Sequence, residues 1–550
     1  MEVPAPRIPL AAALLAVCAF GPAALGGFSY DDLEAIRGNP VIEGGAPWWT
    51  AFTRDYWEHL GAAGHWRPTA TLTLRLVHMA AGESAAAQHA ASALLHAAAA
   101  ALLGSLLLRL GIQTRAAAAA AVLFAIHPAL ADGVAWISGR SSPVSAIGGL
   151  LGLHLLTRAR GSGSTCLAAA STVLLAALGK EDGLAFAPVA ALMASRLGRW
   201  RPGVFGAALG ILAWSLLRWA TYGEALPSAP NSPLAALGLL DRAAIGGWAW
   251  LGGLRALAAP IALVPGRAPL HAEELAAAWP LPGLLMTLAL PALGLVLSAH
   301  ALRSPRALAL ASAGTACLAT VPTLQLVPAG EVFATRFLYL PLLFATPALG
   351  LALRRLPLAA HAALTGLLVV LSWTASSPYA SREAYWQARC AFEPEDARAW
   401  NALGNAALEA GDDALAEERL LRAVELDPTY SRPLVNLAVL RVRRGDLDAA
   451  EEALRTACVR GPANPVAHRN LGSVLLRLER WSEAEEAYQR AVHLAPGVAG
   501  SWRGLARARI AQGRRQEGRD ALLRALELDP RDALARRLLD GLDAAPLEAR

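Results

Sequence analysis

The stretch WNALGNAALEAGDDALAEERLLRAVELDP (400–428) carries small and large apolar residues at helical spacing and ends in a proline. Trp400, Leu403, Gly404, Ala416, Leu420, Ala423 and Pro428 mark the pattern. It returns every 34 residues: first as Leu434, Leu437, Ala438, Ala450, Leu454, Ala457 and Pro462. His468, Leu471, Gly472, Ala484, Tyr488, Ala491 and Pro496 form the third unit; Trp502, Leu505, Ala506, Gly518, Leu522, Ala525 and Pro530 form the fourth. The small residues let two helices approach closely, the large ones fill between them, and the proline breaks the second helix. One such pair cannot bury its apolar face alone, so four units in register predict a stacked helical solenoid.

The unit resembles the tetratricopeptide repeat. Four repeats occupy 397–530. Before them, YWQARCAFEP (385–394) fits the second helix of a degenerate repeat within a connecting segment, 377–396. After them, RDALARRLLDGL (531–542) reads as a capping helix in a tail of 531–550. Such solenoids have a concave groove suited to extended peptides. The competing expectation is that the array packs on the rest of the chain or dimerises.

Upstream the composition changes. The 550-residue chain is 55% hydrophobic, and the excess lies before about residue 376 in repeated apolar runs. A bilayer core takes about 20 apolar residues per helix. Expected spans are 8–26, 89–109, 115–131, 142–157, 165–179, 183–195, 203–220, 281–299, 306–323, 335–352 and 357–374. A cleaved signal peptide over 1–26 is the alternative for the first. Arginines mark cytoplasmic loops: Arg7, Arg109 with Arg115, Arg158 with Arg160, Arg196 with Arg199 and Arg201, Arg303 with Arg306, and Arg354 with Arg355 fall in alternate loops. The segment 246–266 is apolar but breaks this alternation, so it is expected to be re-entrant or interfacial. The result is 11 crossings, N-terminus inside and C-terminus outside. A twelfth crossing would instead carry the repeats to the cytoplasm. The net charge of +6 reflects these loops and not nucleic-acid binding. Five cysteines with no CxxC spacing imply neither a disulfide framework nor a zinc site.

Ionisable residues gather in the loops expected to face outward, where their cost near a bilayer suggests a site. Asp31 and Asp32 follow the first span. Trp48, Trp49, Phe52, Tyr56 and Trp57 are spaced like an interfacial amphipathic helix. HPALADGVAWISGR (127–140) holds His127, Asp132, Trp136 and Arg140. LAALGKEDGLAFAP (175–188) places Lys180, Glu181 and Asp182 between two apolar runs, and Lys180 is the only lysine in the chain. LVPAGEVFATRFLYLP (326–341) holds Glu331 and Arg336.

FSYDDLEAIRGNPVI, WRPTATLTL, LFAIHPALADGVAWISGR, GKEDGLAFAP and RFLYLP, in that order and followed by the repeats, resemble the transmembrane and tetratricopeptide-repeat-containing protein O-mannosyltransferases and their bacterial relatives. That family belongs to the GT-C class of polyprenyl-phosphate-sugar-dependent glycosyltransferases. There are two departures. Ser141 and Ser142 stand where animal members carry a small residue and an acid, and Asp182 stands where they usually carry glutamine.

The resemblance implies an all-α fold: a polytopic GT-C-like domain over 1–376, then a tetratricopeptide-repeat solenoid. It implies inverting transfer of a sugar, mannose by the family's name, from a polyprenyl phosphate to a protein hydroxyl. A carboxylate must take the acceptor proton, and the resemblance puts this base at Asp32, with Asp31 as partner or substitute. N-capping of the following helix is the structural alternative for both. Cations must meet the departing phosphate; Arg336 and Lys180 are the candidates, with Arg140 and Arg67 behind them. Lysine is a compact point charge where arginine is a planar fork, so a lone lysine suggests a place a guanidinium does not fit. Glu181, Asp182, Glu331, His127 and Asp132 complete the candidates, His127 being the one expected to be structural. The resemblance favours metal independence, with a divalent ion at the acidic pair as the alternative, since members of the wider class use one. The expected partners are the polyprenyl-phosphate sugar, the bilayer and an acceptor protein in the repeat groove, with no nucleic acid. The expected location is a bacterial inner membrane with periplasmic repeats, or an endoplasmic-reticulum membrane with lumenal repeats in a eukaryote. Two other readings stay open: transfer to a lipid or cell-envelope glycan, and a non-enzymatic membrane-anchored scaffold.

Overall fold

The computed structural model describes residues 5–56, 65–224, 234, 237–261, 263, 272–301, 313–317, 319 and 334–544. All regular structure among them is helical. The chain divides into two compact units, Met1–Ala388 and Arg389–Arg550.

Among the described residues of the first unit, seven helical segments are long and apolar enough to cross a membrane: Ile8–Leu25, Ala85–Arg109, Ser162–Gly179, Trp200–Tyr222, Pro280–Ala299, Thr335–Leu353 and Leu358–Ala380. An eighth arises if Thr114–Ile126 and Pro128–Val134, bent by 49°, form one broken span. Pro128 supplies the bend, since it cannot donate a backbone N–H. The expected span 183–195 is the eleven-residue helix Phe186–Arg196, about 16 Å long and too short to cross alone. Most of the expected span 306–323 lies outside the described residues. The segment expected to be re-entrant begins inside a 20-residue helix, Leu239–Ala258, which packs on Pro280–Ala301 with Trp250 fully buried.

Small residues bring the bundle's helices together, as they do where lipid supplies no hydrophobic drive. A Cβ at Gly152 would lie 2.4 Å from Thr172 Cα, and one at Gly206 would lie 2.2 Å from the Cys166 carbonyl. These contacts join Ser141–Arg158 to Ser162–Gly179, and Ser162–Gly179 to Trp200–Tyr222. The loop ends on one side of this stack carry the polar candidates. The aromatic stretch of the first loop differs from the expected amphipathic helix. It is a short 3-10 turn, Trp48–Phe52, with Trp48 and Trp49 exposed. Tyr56 is buried, because the loop folds back on the bundle, and Trp57 lies outside the described residues.

The connecting segment holds the 3-10 turn Ser377–Ala380 and the helix Arg382–Phe392. The second unit contains the four expected helix pairs: Ala397–Ala410 with Asp413–Leu426, Arg432–Arg443 with Leu447–Arg460, Pro465–Arg477 with Trp481–Leu494, and Ala499–Ala511 with Arg515–Leu528. Asp396, Asp412, Asp446 and Asn464 accept hydrogen bonds from the first turns of their helices, satisfying donors the helix leaves open. Ala416, Leu420, Ala450, Leu454, Ala484 and Tyr488 are buried between the pairs. Ala533–Ala544 closes the stack, with Ala535 fully buried against the last pair.

Candidate active site

The first acidic pair separates at once into two environments. Tyr30 has φ of +41°, an uncommon conformation for a bulky side chain, and the turn it makes sends Asp31 and Asp32 to different partners. Asp32 is fully buried. Its Oδ2 accepts from the backbone N–H and hydroxyl of Ser29 at 3.1 and 2.8 Å, and its Oδ1 from the Ser138 N–H at 3.0 Å. Burial pushes its carboxyl above the usual range, while the Ser29 and Ser138 bonds oppose that. Asp31 is half-buried. It stands at the N-cap position of Asp32–Ile36 but makes no side-chain capping bond. Its Oδ1 accepts instead from the Trp136 indole N–H at 3.0 Å. Asp31 is therefore the more exposed of the two.

Trp136 leads to the cations. The Arg336 guanidinium lies over its ring at 4.7 Å and over the Phe337 ring at 5.4 Å. Aromatic faces attract cations, so the two rings fix Arg336 while its side chain stays 14% exposed. Asp132, nearly fully buried, anchors it from behind. Oδ2 of Asp132 accepts from the Arg336 N–H at 3.0 Å and pairs with its guanidinium at 3.5 Å, while Oδ1 accepts from the Tyr379 hydroxyl at 2.8 Å. Asp132 thus positions Arg336.

Lys180 also lies by Phe337, with its Nζ 5.6 Å from the centre of that ring. It is buried, bonds Ser142 Oγ at 3.2 Å and pairs with Asp182 Oδ2 at 2.7 Å. Burial pushes the Asp182 carboxyl up, and Lys180 opposes this. Glu181 turns the other way and takes the Arg67 fork at 3.1 and 3.4 Å. Burial raises the Glu181 carboxyl, but Arg67 and His65 outweigh it and hold the group below the usual carboxylate range. Burial and Arg67 push the His65 imidazole down to about 4, so it is neutral at pH 7. Arg67 is thereby committed to an internal pair, whereas Arg336 and Lys180 share the Phe337 ring as a neighbour.

Two further candidates lie elsewhere. Arg140 is buried and turns into the helix Ala85–Arg109, donating to Ser92 Oγ at 3.0 Å and to the Gln88 carbonyl. Burial lowers it to about 10. It braces two helices and is not placed with Arg336. Both ring nitrogens of His127 meet backbone: Nδ1 accepts from the Ala129 N–H at 3.2 Å, and Nε2 lies 3.1 Å from the Leu257 carbonyl. It is a cap at the helix break. Glu331 lies outside the described residues. Among the described residues no group of three or more His, Cys, Asp or Glu side chains is placed to hold a metal ion.

The residue reading missed Phe337, Tyr379 and Ser142 as members of the arrangement, and it named Trp136 without a role. Phe337, next to Arg336 in the sequence, was the available signal. Behind Asp31, Tyr30 stacks on Tyr385 at 4.8 Å and meets Trp386 edge-on at 5.6 Å, and Glu34 pairs with Arg382. The acidic loop is thus held by the segment that follows the last span.

Tetratricopeptide-repeat family models match residues 373–431, 435–499 and 475–541. The Drosophila melanogaster protein O-mannosyl-transferase Tmtc2 is 35% identical over 163 residues, which is 28% of this chain and 17% of that protein. The Caenorhabditis elegans protein O-mannosyl-transferase F38B6.6 is 29% identical over 172 residues, 30% of this chain and 24% of that protein. The human protein O-mannosyl-transferase TMTC2 is 33% identical over 133 residues, 23% of this chain and 16% of that protein. The matched stretches thus span no more than a quarter of these relatives' lengths. Among solved structures, a crystal structure of MamA is 22% identical, covers 30% of this chain and 94% of that one, and has a TM-score of 0.25. The tetratricopeptide-repeat array lies within residues 373–541, and over that repeat-bearing region the chain is similar to the protein O-mannosyl-transferases.

Proposed function

We propose that the chain is an integral-membrane, inverting glycosyltransferase that moves a sugar from a polyprenyl phosphate to a protein hydroxyl presented by its repeats. One observation carries the reading: Asp31, Trp136, Arg336, Phe337 and Lys180 form an unbroken chain of contacts. A half-buried carboxylate stands at one end, and two cations of different shape stand at the other. The names of the similar proteins support a protein acceptor and mannose as the sugar. The apolar helices beside the cluster suit a polyprenyl chain. On this reading the site faces the periplasm, or the lumen in a eukaryote.

The acceptor oxygen attacks the anomeric carbon from the face opposite the phosphate. A C–O bond to the acceptor forms as the bond to the phosphate oxygen breaks, and its electron pair leaves with the phosphate. The acceptor proton passes to the Asp31 carboxylate. Trp136 holds that carboxylate toward the cations. Arg336 offers a planar fork and Lys180 a compact charge to the growing phosphate negative charge. Both are fixed before the reaction by aromatic faces and by Asp132 and Asp182, so they need not reorganise as it proceeds. Arg67, paired with Glu181, shapes the adjoining wall.

The scaffold reading is favoured by one fact, that the similarity to known transferases lies in the repeat-bearing region. Purified protein, a panel of polyprenyl-phosphate sugars and secreted acceptor proteins separate the two. The transferase reading expects a mass increase of one sugar on an acceptor with one of the donors. Unchanged acceptors across the whole panel would leave the scaffold.

A further inference from the structure

A groove of about 1100 Å³ runs along the first unit between the helices Ile8–Phe20, Thr114–Ile126, Tyr339–Leu353 and Leu358–Ser376. None of Asp31, Trp136, Arg336, Phe337 and Lys180 lines it. Thr114–Ile126 and Leu358–Ser376 form its long walls. The Ser372 hydroxyl donates to the Ile126 carbonyl at 2.7 Å, so the last turns of these two helices meet and their first turns share the opposite end. At the last-turn end the Trp373 indole N–H donates to the Cys18 carbonyl at 2.8 Å and ties the wall to the first helix.

The two ends of the groove differ in kind. Leu15, Val122, Leu123, Leu368 and Val369 make its apolar body, whereas Arg115, Arg355 and His361 line its first-turn end. No Asp or Glu occurs in 8–25, 109–126 or 339–376, the segments that build the walls. Neither Thr114–Ile126 nor Leu358–Ser376 has a side-chain cap, and a helix start carries partial positive charge and open N–H groups. Two arginines and two helix starts therefore converge on one mouth. Arg336 stands at the start of the apolar segment Thr335–Leu353 and Arg355 just past its end, so this mouth and the Asp31–Lys180 cluster lie at opposite ends of the bundle.

We propose that the groove holds one anionic diacyl glycerophospholipid from the leaflet on the arginine side. Its phosphate meets Arg115, Arg355 and the two helix starts, and its acyl chains lie along Val122 and Leu368. Basic pockets between membrane helices suit anionic headgroups. The wall Thr114–Ile126 is about 18 Å long, close to the ~15 Å depth of one leaflet of a ~30 Å core. That length fits acyl chains, and the volume exceeds the ~300–1,000 Å³ of small-molecule pockets. The inference rests on the first unit being embedded in a membrane, and not on sugar transfer.

The test uses the full chain purified in detergent and exchanged with defined lipids, with retained lipid read by native mass spectrometry. The result expected is one dioleoyl phosphatidylglycerol per chain, retained about tenfold or more over zwitterionic dioleoyl phosphatidylcholine. Neither inorganic phosphate nor a polyprenyl phosphate should displace it. Arg115→Glu with Arg355→Glu should lower retention about tenfold or more. Gly366 lines the groove, and a Cβ there meets nothing within 4 Å; Gly366→Trp puts a ring into the groove and should lower retention as well. Arg160→Glu, at an exposed arginine outside the groove, should not. If the double reversal unfolds by circular dichroism, Arg115→Gln with Arg355→Gln carries the same expectation with a smaller loss. Equal retention of the two lipids, displacement by either phosphate, or indifference to the groove substitutions would overturn the proposal. Because the readout is retained lipid, a negative transfer assay leaves it standing, and its failure leaves transfer untouched.

Discussion

Two adjacent aspartates with one sequence context have opposite fates, and the cause is local. Asp32 spends both oxygens on Ser29 and Ser138, while Asp31 is half-buried and accepts from Trp136. Asp32→Asn should cost about 2–3 kcal/mol of stability, because an amide cannot accept on both sides; thermal unfolding in detergent checks this. Asp31→Asn should unfold at the wild-type temperature yet lose about a hundredfold or more in turnover. Sequence could not rank the pair, since only the φ of Tyr30 and the distant Ser138 and Trp136 separate them. The lone lysine was legible as unusual, but its reason was not. In the fold, Ser142 and Asp182 both touch Lys180, so both departures from the pattern of the resembled family fall at the ammonium. Asp182→Gln alone should therefore impair transfer, and adding Ser142→Glu should restore much of it. Additive losses in that double-mutant cycle would show that the two positions are independent.

At the scale of elements, spacing set most of what formed. The 34-residue period placed all eight repeat helices, because small and large residues alternate at positions that must face one another. The bundle helices followed from apolar length, but their ends and their number did not, since Ala-rich runs carry little information about where a helix stops. Close approach is the constraint the sequence states only as a glycine. Gly206→Leu should drive a side chain into the Cys166 carbonyl and force the two helices away from each other, lowering the yield of folded protein in detergent. Gly366, with no neighbour near its missing Cβ, should tolerate the same change. In the array, Gly411, Gly445 and Gly513 turn between paired helices at φ of +81°, +83° and +81°, and the third repeat places Glu479 at the equivalent turn with φ of +58°. Glutamate is strained there, so Glu479→Gly should stabilise the array by about 1 kcal/mol. A lower unfolding midpoint would contradict that account.

Across the whole molecule, the sequence revealed a membrane-embedded helical unit followed by a repeat array because each has its own periodicity and its own solvent. It revealed the site only in outline. Composition and order brought Asp31, Lys180 and Arg336 to loops on one side, but the rings that join them, Trp136 and Phe337, look like any interfacial aromatics until the fold sets them between charges. Arg140 and Arg67 stood behind Arg336 and Lys180 as candidates, and a sequence does not say that one turns into a neighbouring helix while the other pairs with Glu181. The account as a whole stands on that joined cluster performing transfer. Its most direct test is a single-turnover reaction of the purified full chain with a labelled polyprenyl-phosphate sugar and an acceptor protein, following free polyprenyl phosphate and the anomeric configuration of the product. The account predicts release matched one for one by acceptor glycosylation with inversion, and its loss in the Asp31→Asn chain. Retention of configuration, or undiminished transfer by that variant, would contradict it.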